Sequence, residues 1–159
     1  MATHRDDFTR LDRKLATLSD MADVIESEVG PEICEVMRVY ALDRLDALVY
    51  DGNSRPVTGN LRNSVETAQD VILRTGDATV SIGIASSADY ALFIEYGTGA
   101  LGDPAIPHTS KPKWFYFGPD GSPHWGYPQH PRPFMRPALY DNVSLFKDII
   151  EGKLTEVFA

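Results

Sequence analysis

Apolar residues in the first third of the chain recur at helical spacing. Leu11, Leu15, Leu18, Ile25 and Val29 stand three, four or seven apart, and Ile33, Met37, Ala41, Leu45 and Leu48 continue the series. Charged residues fill the opposite face, among them Asp12, Arg13, Asp20, Asp23, Glu26, Glu35 and Asp43. The pattern predicts an amphipathic helix over residues 8–50, lying with its apolar stripe on a sheet. Gly30-Pro31 interrupts it. Glycine can end a helix, and proline is tolerated in the first turn of the next. The segment is therefore either two consecutive helices or one kinked helix.

The period changes after the loop Asp51-Gly-Asn-Ser-Arg-Pro56. Val80, Ile82 and Ile84 alternate with Thr79, Ser81 and Gly83, the period of a half-buried strand. Residues 65–74 and 79–85 are expected to pair as a β-hairpin about the turn Thr75-Gly-Asp-Ala78. Asp89 is placed to cap a short helix from Tyr90 to Glu95, with Phe93 and Ile94 as core anchors. Gly97 would end that helix, because a left-handed conformation costs glycine nothing. Trp114-Phe-Tyr-Phe117 has strand propensity, and the turn Pro119-Asp-Gly-Ser122 would bring His124-Trp-Gly-Tyr127 back to pair with it. A last helix over 134–157 would bury Leu139, Val143, Phe146, Ile150, Leu154 and Val157.

The predicted fold class is α+β. An antiparallel β-sheet is packed by a long N-terminal helix, or helix pair, and by a C-terminal helix, with a projecting β-hairpin. The 159 residues suit one domain, 1–159, large enough to bury a sizeable core. Its parts are 8–50 helical, 58–98 hairpin plus short helix, 99–130 an extended hairpin rich in proline and aromatics, and 134–157 the C-terminal helix.

Composition sharpens the last of these. Residues 101–136 hold 8 of the 11 prolines, both tryptophans and 7 of the 16 aromatics, so this stretch differs in kind from the rest. Charge is uneven as well. Residues 1–50 carry 11 acids and 6 bases, whereas 101–136 carry 2 acids and 4 bases, within a net charge of −8. So acidic a chain is a poor tight binder of DNA, because phosphate contacts supply most of that affinity. Cys34 is the lone cysteine, which excludes an intrachain disulfide framework. No apolar run reaches the roughly 20 residues of a membrane span. The first residues lack the apolar core of a signal peptide, so a soluble, non-exported chain is expected.

Candidate chemistry is sparse. His108, His124 and His130 do not have the spacing of a structural zinc site. Gly97-Thr-Gly99 and Gly118-Pro-Asp-Gly121 lack the lysine and glycine spacing of a phosphate loop. Cys34 lies in a helical pattern and reads as a small buried apolar group. No catalytic residue, cofactor-binding residue, metal ligand or cofactor is assigned.

Three segments remain. In Thr58-Gly-Asn-Leu-Arg-Asn-Ser64, Thr58 and Asn60 can cap, Gly59 allows a tight turn and Leu61 faces the core. In Tyr90-Ala-Leu-Phe-Ile-Glu-Tyr-Gly-Thr-Gly99, Glu95 and Thr98 put a carboxylate and a hydroxyl at a helix end. In Arg132-Pro-Phe-Met-Arg-Pro-Ala-Leu139, two arginines four apart reach one side, behind prolines at 131, 133 and 137 that stiffen the approach. The ordered set resembles the tail-component or neck-protein family of long-tailed bacteriophages. Members show "TGxLRxS", then "YAxxxExGT", then "xPFxRPAL" before a final helix. The resemblance spans roughly residues 8–157, and the stretch Gly99–Gln129 is longer and richer in aromatics than the family pattern.

The resemblance implies a structural virion protein at the head–tail junction or upper end of the tail, assembled in the host cytoplasm. It implies a homo-oligomeric ring against neighbouring neck, head-closure or tail-tube proteins. DNA would pass through the channel without specific binding, and neither catalysis nor a membrane is involved; the acidic excess of residues 1–100 suits a lumen that repels DNA. The expected subunit interface comprises Arg62, Glu95, Thr98, Trp114, Tyr116, Trp125, Tyr127, Arg132 and Arg136. Aromatics and arginine dominate interface energetics. Glu95 would pair with Arg62, Arg132 or Arg136, either between neighbours or within one subunit. The competing readings are a small hydrolase using His124 or His130, and a regulator that binds protein partners through the aromatic hairpin.

Overall fold

A computed structural model of the protein describes residues 4–50, 59–67, 82–118 and 120–158. The N-terminal segment follows one unbroken helical path. Helix α1 (His4–Val24) runs through a π turn (Ile25–Val29) into α2 (Gly30–Leu48). The cause sits at Pro31, which has no N–H for the carbonyl four residues back and whose ring crowds that carbonyl. The wider turn shifts the pairing, so that Gly30 N–H donates to Ile25 O, five residues back. Gly30 is itself helical, at φ −59° and ψ −52°, so it does not terminate a helix.

Helix α2 is the spine. Val29, Ile33, Met37, Ala41, Leu45 and Val49 are buried at a constant spacing of four. At 3.6 residues per turn each step of four rotates the stripe by about 40°. The stripe therefore winds round the helix and meets different partners along its length. Its first half packs with Phe146 of α6 (Val143–Phe158). Its second half packs with Leu61 and Val65 of α3 (Asn60–Thr67), and with Phe134 and Ala138 at α5 (Met135–Tyr140). Leu48, expected on the stripe, is 37% exposed, and Val49 takes its place. The side chains of Leu11, Leu15 and Leu18 lie outside those described.

The expected sheet is the main correction. The protein is α+β only in the broad sense, with helices dominant. Among the described residues the strands are β1 (Trp114–Phe117) and β2 (Pro123–Gly126), paired antiparallel as a two-stranded ribbon. The spine consequently packs chiefly on helices rather than on a sheet. Of the hairpin expected over 65–85, residues 65–67 are the end of α3, residues 82–85 carry no strand pairing, and 68–81 lie outside the described residues. Ile82 and Ile84 still pack on the spine, as their alternation predicts. Cys34 Sγ donates to Gly83 O at 3.1 Å and ties α2 to that segment. Burial raises the thiol's pKa, which keeps it protonated and unreactive.

The C-terminal helix is also two pieces. The Asn142 side-chain amide donates to Ala138 O at 3.0 Å, competing with the backbone for that carbonyl. Helix α5 stops there, and Phe146 N–H donates to Asn142 O to restart α6. The break turns Leu139 and Val143 outward, at 39% and 42% exposed, while Phe146 stays buried. The expected Val157 contact lies outside the described side chains.

The short middle helix, α4 (Ala91–Tyr96), departs from the expected burial at Phe93. Asp89 makes no cap; the N-cap residue is Tyr90, with no side-chain hydrogen bond. Phe93 is 59% and Leu92 65% exposed, whereas Glu95 is only 4% exposed. Ile94 is half-buried on the core as expected. No described helix is long and apolar enough to cross a membrane.

This packing separates two leucines. Leu61→Ala, at a site 1% exposed, should cost about 2–5 kcal/mol of unfolding free energy in urea titration. Leu92→Ala should stay within about 0.5 kcal/mol of the parent. Equal losses at both would contradict the assigned core.

Candidate functional site

Helix α5 is short and has no side-chain cap of its own at Phe134. Its first backbone N–H groups need acceptors, since nothing precedes them in the helix. Glu95 supplies them from 39 residues upstream. Glu95 Oε2 accepts from Phe134 N–H at 2.7 Å and Met135 N–H at 2.9 Å. Oε1 accepts from Arg136 N–H at 3.0 Å and from Arg136 Nε at 3.0 Å. A buried carboxylate is thereby satisfied on both oxygens, at the helix end where a negative charge is favoured.

Arg136 extends the joint. Its Nη1 donates to Asp103 Oδ2 at 2.9 Å, its Nη2 to Glu95 O at 3.4 Å, and its guanidinium lies 4.4 Å from the Tyr96 ring centroid. The Ala105 N–H and then the Arg136 guanidinium hold the Asp103 carboxyl below its ordinary pKa of 3.8. Two backbone connections run alongside. Arg132 N–H donates to Ile94 O at 2.8 Å, and Thr98 and Gln129 exchange N–H···O bonds of 2.9 and 3.1 Å. Gly97 lies at the tightest point, with φ +70° and ψ −175°, a region open essentially to glycine alone. A Cβ there would stand 2.5 Å from Gln129 O and 2.7 Å from Pro131 N.

The Tyr90–Gly99 and Arg132–Leu139 segments therefore form one unit, and the Thr58–Ser64 segment joins it through the core. Leu61 is buried against Phe134, and Gly59 takes φ +73°, as a tight turn requires. Thr58 lies outside the described residues. Arg62 Nε pairs with Asp46 Oδ1 at 3.2 Å on α2, and Arg62 N–H donates to Tyr50 Oη at 3.3 Å. Arg136, not Arg62 or Arg132, is the arginine on Glu95, and that pair is internal to the subunit. Its near-complete burial removes Glu95 from the residues available to a neighbour. Asp103, Tyr96 and Asp46 complete these contacts, and no spacing in the sequence marks them as partners.

The aromatic segment is arranged differently. Strand pairing sets Phe115 opposite Trp125 and Tyr116 opposite His124, so alternate residues go to opposite faces. The outer face carries Phe115, Phe117 and Trp125, which are 49%, 68% and 55% exposed. Their rings meet edge to face at 5.1 and 5.4 Å, and Lys113 Nζ lies 4.8 Å from the Trp125 centroid. The inner face carries Trp114 and Tyr116. With Tyr127, Thr98 and the exposed side of α4, it bounds an open groove of about 810 Å³. The expected interface residues thus fall into two sets. Trp114, Tyr116, Tyr127 and Thr98 line the groove, and Trp125 stands behind it with Phe115 and Phe117.

One cluster in the turn of the ribbon has the composition of a catalytic group. Ser122 Oγ lies 2.6 Å from Asp120 Oδ1 and 2.7 Å from His124 Nε2. The hydrogen-bond direction runs the wrong way for a nucleophile. A carboxylate only accepts, so the hydroxyl donates to Asp120 and receives from His124. The imidazole acts as donor and takes no proton, and the acid orients the serine rather than the base. Asp120 also accepts from Ser122 N–H at 3.0 Å, which makes the cluster a turn lock. Among the described residues no group of three His, Cys, Asp or Glu could hold a metal ion.

No protein-family model, no curated protein and no solved structure matches the chain.

The joint makes a stability prediction. Glu95→Ala strands three helix N–H groups and leaves Arg136 with Asp103 as its remaining carboxylate, and should cost about 2–4 kcal/mol in chemical denaturation. Glu95→Gln keeps the shape and one acceptor oxygen, and should cost roughly half as much. A loss below about 1 kcal/mol for Glu95→Ala would contradict the cap.

Proposed function

We propose that this chain is a structural virion protein of the phage head–tail junction. It forms a ring at the neck or the upper end of the tail, around the channel through which DNA passes. The observation that carries the reading is how the three motif segments are used. They go into one internal scaffold, the spine with the Glu95 joint, and leave an aromatic ribbon uncovered. An internal scaffold with an exposed aromatic face is what a subunit needs when its purpose is to be held by neighbours.

Charge supports the same role. Asp12, Asp20, Asp23, Glu26 and Glu32 lie exposed along α1, the π turn and α2, and Glu28 and Glu35 there are paired with Lys153 and Arg38. Acids of this segment that face the channel would repel a phosphate backbone and favour sliding over retention of DNA. Ring partners are further copies of the chain, with adjoining neck, head-closure or tail-tube proteins above and below.

Electron microscopy of a lysate from a phage or prophage carrying a null allele of this gene tests the proposal. Filled heads beside free tails are expected for a joining protein, and overlong tails for a tail terminator. Complete, infectious particles without the protein would overturn it.

A further inference from the structure

The ribbon has two unlike faces, and both are apolar. On one side stands a raised cluster, Phe115, Phe117 and Trp125. On the other side lies the open groove, whose floor includes the exposed side chains of Leu92 and Phe93 and whose wall includes Tyr116 and Tyr127. We infer that the raised aromatic face of one copy seats in the groove of the next. This deepens the ring reading above and rests on it.

The occupant is a second copy because both halves of the contact are present on one chain with matching chemistry and opposite charge. Lys113 stands exposed on the raised face, over the Trp125 ring. Asp89 stands exposed where α4 begins, beside Tyr90 on the groove rim. Knob and groove lie on opposite sides of one ribbon, so a copy that gives its knob to one neighbour still offers its groove to another. That is a heterologous contact, the kind that closes into rings.

Size fixes how such a contact behaves. An aromatic side chain presents about 150–250 Å² when fully exposed. At the half exposure seen here, the knob and groove side chains together offer roughly 800 Å² of surface, below the roughly 1,200 Å² of a small stable interface. A single contact is therefore weak. In a closed ring each subunit makes two, and the closing contact is intramolecular, which raises its effective concentration.

Cysteine pairing tests the geometry. In a Cys34→Ser background, purified full-length Phe117→Cys and Leu92→Cys chains are mixed at high concentration and treated with a short bismaleimide. Both positions are exposed, so the fold is retained, and circular dichroism checks it. Glu151→Cys, exposed on α6, sets the level of random collision. The mixture should give cross-linked dimer several-fold above that level, and neither variant alone should exceed it. Self-cross-linking of Phe117→Cys that matches the mixture would mean a symmetric contact and would overturn the inference. A mixture no higher than the collision level would overturn it too. If the null lysate shows the junction defect but this cross-link is absent, the role stands and this contact is wrong. If the cross-link forms but null particles are complete, the contact stands without the virion role.

Discussion

A carboxylate buried inside its own subunit holds the two halves of this molecule together. Glu95 reaches across 39 residues of sequence to receive the leading N–H groups of α5, and Arg136 then closes over it toward Asp103 and Tyr96. Two effects that are individually modest reinforce each other there. A short helix without a cap gains one, and a carboxylate that burial would otherwise penalise gains donors on both oxygens. The joint also brings Phe134 and Ala138 onto α2, where Leu61 and Val65 complete the larger core cluster. Gly97 permits the approach, because any side chain there would collide with the backbone at 129–131.

The rest of the architecture follows from α2. A stripe repeating every four residues cannot stay on one side of a 3.6-residue helix, so the spine needs partners at more than one angle. Helix α6 covers one end and α3 with α5 the other. Apolar residues that these contacts do not use come out on the surface at α4 and on the ribbon. A two-stranded ribbon is marginal by itself in water. Here it is anchored at its base by the Thr98–Gln129 bridge and by Trp114, which packs against Gly126 and Gly99. An anchored ribbon with aromatics on both faces is suited to be completed by another chain.

The N-terminal and C-terminal helical segments, α4, the ribbon and its turn were legible in the sequence because each has a local signature: the 3.6 period, aromatic strand propensity, and Asp-Gly in the turn; α3 was not, since residues 65–67 carry it into the stretch expected to be a strand. The continuity through Pro31 was not, since glycine followed by proline is also the mark of a helix boundary and only the shift to five-residue pairing decides between them. The split at Asn142 depends on one side-chain hydrogen bond to Ala138 O, which periodicity does not register. Phe93 of α4 came out exposed for a related reason. Hydrophobicity predicts Phe93 inside, and the helix instead turns Glu95 inward, where it serves as the acceptor for α5. Both residues of the Glu95–Arg136 pair stand in the sequence motifs, where opposite charge suggests pairing. What could not be read was that the pair is internal, because that is a matter of distance and burial rather than of spacing.

The Glu95 joint is a formed, persistent part of the subunit, and the ribbon's aromatic face lies outside it. Amide hydrogen exchange on the isolated full-length chain measures this directly, residue by residue. The account predicts that the N–H groups of Phe134, Met135 and Arg136 exchange as slowly as those of the buried turns of α2, although they begin a helix. Exchange at these three amides as fast as at the exposed Lys111 and Lys113 would contradict it.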